Sequence, residues 1–124
     1  MITQIIGRLV EKTPTQVVVD CNGVGYAVHI SLNTYSQIGD QEKIKLFTHM
    51  QVREDSHTLF GFHSPVERSV FLLLISVSGI GASTARTMLS SLQPHQIRDA
   101  ILSDDLNTIK SVKGIGLKTA QRVL

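Results

Sequence analysis

Cysteine is almost missing from this 124-residue sequence: Cys21 stands alone, so no internal disulfide, CxxC redox pair or cysteine-built metal site can form. A small buried thiol is the expected role for it. Long apolar runs are missing too. The longest, Val70 to Ile75, falls far short of the roughly 20 residues that span a bilayer, and no basic segment precedes a signal-like run at the N-terminus. The expectation is a soluble, cytoplasmic chain with no membrane partner. Prolines number three, and the chain is 42% hydrophobic and 18% charged with mean hydropathy +0.12, which argues against wholesale disorder. The length leaves room for one ordinary domain or two small ones, and none for a large catalytic fold.

Histidines 29, 49, 57, 63 and 95 show neither HxH nor HxxxH spacing, so no zinc set is expected. Aromatics make up 5% of the chain. Phe60 and Phe62 share a strand face, while Phe47 and Tyr26 read as easily as core, so a stacking platform for single-stranded nucleic acid is poorly supplied.

The sequence changes texture near His63. Before it, short β-branched runs alternate with turn residues: Ile2 to Val10, Gln16 to Cys21, Val24 to Ser31, Ile44 to Val52 and Thr58 to Phe62. Asn22-Gly23 marks a tight hairpin and Thr13-Pro14 an earlier turn. Gly7 and Gly25 lie inside strand patterns, where a glycine signals a bulge or sharp bend. Five such strands, with a helical turn near Asn33 to Gln37, fit a five-stranded OB-type barrel over residues 1–63.

From Ser64 the period becomes helical. Ser64-Pro65 with Glu67 reads as an N-cap, a proline at the first position and a capping-box acid, opening a helix through Val70, Phe71 and Leu74. Pro94 opens another through Ile97, Ala100 and Ile101, and Asp104 is a candidate cap for a third through Leu106 and Ile109. Residues 64–124 are thus expected to be all-helical, making the chain α+β in two domains.

Charge follows the same division. Residues 1–63 carry five Lys/Arg against six acids, and residues 64–124 carry seven against four. Past Asp105 the charged side chains are Lys110, Lys113, Lys118 and Arg122, so an anionic partner is expected at that end.

The second half also contains a repeat. Gly79-Ile80-Gly81-Ala82-Ser83-Thr84-Ala85 returns 35 residues later as Gly114-Ile115-Gly116-Leu117-Lys118-Thr119-Ala120, identical at five of seven positions. A Gly-apolar-Gly triplet before a helix lets the backbone turn tightly and aims the first amide N–H groups outward. Together with the positive end of the helix dipole, these donors suit a phosphate. The middle isoleucine can turn inward as an apolar pin. Leu117 and Thr84/Thr119 stand where an ATP-binding loop needs lysine and a dinucleotide fingerprint needs a third glycine. No cofactor is expected. The plainer alternative is a pair of helix-connecting turns without a ligand.

The tandem GIGxxTA loops look like helix-hairpin-helix motifs. Their place behind a barrel with Gly23-Val24-Gly25-Tyr26, Phe47-Thr48-His49 and Val52-Arg53-Glu54-Asp55 resembles the RuvA family, the Holliday-junction-binding subunit of the bacterial branch-migration machine, over essentially the whole chain. The resemblance implies a non-catalytic homotetramer or octamer that holds a four-way DNA junction open. Its loops (Gly79, Ile80, Gly81, Ala82, Ser83; Gly114, Ile115, Gly116, Leu117, Lys118) and Arg122 would grip phosphates, with Glu54 and Asp55 as an acidic pin at the crossover. It also implies a RuvB-type hexameric ATPase as partner, engaged through a C-terminal domain not expected in this chain, whose last helix stops in mid-pattern. Ser83 departs from the family's usual basic residue there.

Read from the residues alone, Glu54-Asp55 also fits a solvated turn or a metal site, although no further carboxylates sit at matching spacing. Two other classes remain open: a helix-hairpin-helix repair nuclease or glycosylase, and a purely structural oligomerisation module. For the last the cue is the run Val70-Phe71-Leu72-Leu73-Leu74-Ile75, part of which is expected at a subunit interface.

Overall fold

The computed structural model describes residues 2–111 together with Gln121 and Val123. Two compact units divide the chain, residues 1–68 and 69–124. The first contains strands β1 (Gln4–Lys12), β2 (Gln16–Cys21), β3 (Val24–His29), β4 (Lys43–Val52) and β5 (His57–Phe62), and a short helix α1 (Leu32–Ile38). They close into a barrel in the order β1-β2-β3-β5-β4. Helix α2 (Pro65–Ile75) spans the division, and the second unit adds α3 (Ala82–Ser91), α4 (Pro94–Leu102) and α5 (Leu106–Lys110). No helix among the described residues is long and apolar enough to cross a membrane.

Strand alternation builds the barrel interior. Ile5, Val17, Val19, Val28, Ile44, Leu46 and Leu59 point inward and are buried, and Ile30 and Ile38 join them from the region of α1. The β2–β3 hairpin is a two-residue turn in which Asn22 (φ 57) and Gly23 (φ 98) both take positive φ, the backbone that matches strand twist and that Asn-Gly tolerates. Asp20 Oδ1 accepts from the Gly23 N–H at 2.7 Å and braces it.

The two strand glycines have different roles. β1 pairs with β4 from Gln4 to Arg8 and with β2 from Arg8 onward, so it changes partners beside Gly7. A Cβ on Gly7 would lie 2.4 Å from the Asp20 carbonyl oxygen; on Gly25 it would meet only Val18 Cγ1, at 3.6 Å. The bulge itself lies between Leu9 and Glu11, where the register shifts. Gly7 therefore permits the close backbone approach where β1 changes partners, whereas the β2–β3 register runs through Gly25 without the bulge that was one of the two expectations there.

The burial of Cys21 and the cap of α5 differ from expectation. Cys21 is half-buried at the barrel end, and burial, helped by Asp20, pushes its thiol pKa up. Phe60 and Phe62 are buried at 5% and 1% exposure, so they offer no stacking platform. Asp105, not Asp104, caps α5: its carboxylate accepts from the Thr108 N–H, while Asp104 takes φ 57 in the turn before it.

Glu67 departs furthest from expectation. Ser64 Oγ does accept from the Glu67 N–H at 3.1 Å, half of a capping box. The Glu67 side chain, only 1% exposed, instead turns to α1: Oε2 accepts from Ser31 Oγ at 2.5 Å and Oε1 from Thr34 Oγ1 at 2.6 Å. Each hydroxyl already accepts a backbone N–H, Ser31 from Thr34 and Thr34 from His63. Their single hydrogens are thus committed to the carboxylate. Burial raises the Glu67 pKa, against the opposing pull of the two hydroxyls and His63.

Candidate nucleic-acid interface

Two sites predicted from sequence lie within the described residues, one in each unit. In the first unit, β4 and β5 pair from Phe47–Phe62 out to Val52–His57. β1 accompanies β4 only as far as Phe47 and β3 accompanies β5 only at Leu59 and Phe60. The pairs Gln51–Thr58 and Val52–His57 consequently form a two-stranded arm beyond the rest of the ladder. At its tip the Arg53 N–H donates to the Ser56 carbonyl at 2.8 Å and the Ser56 N–H returns to Arg53 at 3.4 Å. Glu54 and Asp55 form the two-residue loop between them, both exposed. Two carboxylates on adjacent residues at the end of an arm present concentrated negative charge, with the Arg53 cation at its base. Among the described residues, no group of three His, Cys, Asp or Glu side chains could hold a metal ion.

In the second unit, the Ile80 N–H donates to the Val77 carbonyl at 3.1 Å, closing a turn whose third residue, Gly79, has φ 90. That is the backbone a type II turn assigns to glycine. Ile80 then points inward at 5% exposure, as the pin reading expects, and Ala82 is buried behind it. Gly81 is the N-cap of α3, with φ −89 and ψ 176. Any residue adopts those angles, and a Cβ there would meet nothing within 4 Å.

The fold therefore gives no internal reason for glycine at position 81. It also supplies no side-chain cap and no acid in the first turn of α3. The first amide N–H groups of a helix have no carbonyl one turn back, and the N-cap glycine offers them no side-chain acceptor. Ser83 is exposed and Thr84 half-buried on the same turn. The second loop, Gly114, Ile115, Gly116, Leu117 and Lys118, and Arg122 lie outside the described residues.

Arg86, which the sequence analysis does not single out, is the single charged residue of α3, half-buried and one turn beyond Ser83.

Comparison with known proteins matches residues 1–61 to the RuvA N terminal domain and residues 71–124 to the SAM-like helix-hairpin-helix tandem. The whole chain is 60% identical to the Holliday junction branch migration complex subunit RuvA of Christiangramia forsetii and of Flavobacterium psychrophilum, and 53% identical to that of Bacteroides thetaiotaomicron. It spans 64% of the length of the first two relatives and 62% of the third. An N-terminal RuvA barrel followed by a helix-hairpin-helix tandem, matched along its full length at this identity, places the chain in the RuvA family.

Proposed function

We propose that this chain is the non-catalytic, DNA-binding part of a branch-migration complex, recognising four-way junctions by shape and phosphate rather than by base sequence. In this reading residues 1–63 present Glu54 and Asp55 to the crossover. Residues 64–124 grip backbone phosphates through Gly79 to Ser83 and through Gly114 to Lys118 with Arg122. A homotetramer surrounds the junction, and a RuvB-type ATPase is engaged by the part of the relatives' length that lies outside this chain. The observation that carries the proposal is Gly81. Its backbone angles suit any residue and a Cβ there would meet nothing within 4 Å, so what glycine leaves open is access to the end of α3 that has no side-chain cap.

Gly81→Ser tests this with opposite signs. Serine is a better N-cap than glycine, so a few tenths of a kcal/mol of stability should be gained. Its Oγ would then occupy the donors meant for phosphate, and its bulk would hold the DNA backbone away. A higher melting temperature with several-fold weaker junction binding in a gel-shift series of junction, duplex and single strand is the expected result. Unchanged binding would return the loop to a helix connector.

The acidic arm is tested by Glu54→Gln with Asp55→Asn, which preserves shape. Two unit charges 6 Å apart repel by roughly 0.7 kcal/mol in bulk water and by more where solvent is excluded. Duplex binding should tighten more than junction binding, lowering the selectivity ratio. A metal site predicts instead magnesium-dependent cleavage that the double variant loses, and an inert turn predicts an unchanged ratio.

A further inference from the structure

Resting on the reading above, in which an acidic arm and a phosphate grip act on one junction, we infer that Glu67 and Arg68 are positioning residues for junction selectivity. They clasp the first turn of α2 to the barrel, and α2 is the helix through which the arm-bearing unit continues into the grip-bearing one. Glu67 accepts from the hydroxyls of Ser31, the N-cap of α1, and Thr34 within it, at 2.5 and 2.6 Å. The His63 N–H donates to the same Thr34 hydroxyl at 3.1 Å, so α1 also holds the chain just ahead of α2. Arg68 reaches β4 instead, where its Nε–H donates to the Thr48 carbonyl at 2.6 Å. Its charge acts on the next residue of that strand: His49 is held below the ordinary imidazole range by burial and then by Arg68.

One turn of helix is thus tied through adjacent residues to both α1 and β4. Its own stability does not call for this, because Ser64 Oγ already caps it by accepting from the Glu67 N–H. Burying a carboxylate is a costly way to join two elements that apolar contact could hold. What a fully partnered polar network adds is one defined geometry. Beyond the clasp α2 runs unbroken to Ile75, with no glycine and with proline only at its first position. The division between the units falls inside it, between Arg68 and Ser69. A helix without such breakers bends only gently, so what holds its first turn holds the passage from one unit to the next. With the clasp open, that turn frays and the acidic arm is free to move away from DNA bound at the grip. The arm's repulsion of plain duplex, and with it the preference for a junction, is then lost.

The test uses the full-length protein with a fluorescent four-way junction and a fluorescent duplex, well below the melting temperature of each variant. Arg68→Met keeps the apolar stem and loses the donor; Thr34→Val opens the clasp from α1 without changing charge. Each should lower the ratio of junction to duplex affinity several-fold, and Arg68→Lys, which keeps a donor, should recover most of it. The slope of log K against log salt for duplex should stay that of the parent. The decisive comparison adds Glu54→Gln and Asp55→Asn to each variant. Once the arm is neutral its placement no longer matters, so opening the clasp should change the ratio little further. A ratio unchanged in Arg68→Met or in Thr34→Val, or one that falls additively in the combined variants, confines the clasp to stability and overturns the inference. A duplex slope reduced by about one in Arg68→Met means that this arginine meets a phosphate itself, which also overturns it. If neutralising Glu54 and Asp55 alone leaves the ratio unchanged, the acidic-arm reading fails and the inference falls with it. If the neutral arm lowers the ratio and the clasp variants do not, that reading stands and the clasp alone is excluded.

Discussion

Replacing Glu67 with alanine is expected to lower the unfolding free energy by about 4 kcal/mol, a large part of the 5–15 kcal/mol that holds a typical domain. The carboxylate is the shared acceptor for Ser31 and Thr34, whose hydroxyls are each already engaged by a backbone N–H. Its removal leaves two buried O–H groups without acceptors and a void around them. Glu67→Gln fills the space yet offers one acceptor oxygen in place of two, and its amide hydrogens face a hydroxyl that needs an acceptor; about 2 kcal/mol is the expected cost.

The two variants also separate by pH. The folded pKa of Glu67 lies above its ordinary value of 4.5, chiefly because burial disfavours the charge. The folded state thus holds this proton more tightly than the unfolded state. The resulting contribution is fully present below the ordinary carboxylate range and is lost as pH rises through the raised pKa. Urea melts from pH 4 upward should show the parent losing that contribution and Glu67→Gln lacking the change. A parent whose stability rises over the same window relative to Glu67→Gln would contradict the raised pKa.

Gly7→Ala is expected to destabilise by about 3 kcal/mol, and Gly25→Ala to be neutral or slightly stabilising. Both are glycines within strands, but a methyl on Gly7 would lie 2.4 Å from the Asp20 carbonyl oxygen and 2.9 Å from Val19 Cγ1. The first is main chain held in the β1–β2 ladder, so relief requires moving a strand. At Gly25 the 3.6 Å contact is ordinary packing, and alanine restricts the unfolded chain more than glycine does. Paired denaturant melts decide it; equal effects at the two positions would show that the barrel adjusts at β1 more readily than its ladders suggest.

What could be read from the sequence was local. Asn22-Gly23, Ser64-Pro65 and the first GIGxxTA loop each carry their cause within a few residues, and all three stand where expected. Glu67 shows the limit: the four-residue pattern from Ser64 names a cap, but its side-chain partners lie 36 and 33 residues earlier in the sequence and are found only when α1 reaches the first turn of α2. Gly7 and Gly25 look alike until strand pairing decides which backbone passes close by. Asp104 and Asp105 are adjacent acids, and the left-handed backbone at Asp104 makes the second one the cap. The acidic pair was visible as Glu54-Asp55, whereas its place on an arm depends on how far β1 and β3 extend beside β4 and β5.

The partner change of β1 has a consequence for how the barrel protects itself from aggregation. Its first half waits for a strand some forty residues downstream, Gln4 facing Phe47, and the last seam joins Val28 and His29 to Leu59 and Phe60. Until the chain through Phe62 is in place, the β1–β2–β3 meander has free backbone edges on both sides. Such edges are templates for pairing with other molecules. Gly7, by letting β1 coil tightly enough to serve β2 and β4 together, allows one short sheet to end with its edges joined to each other.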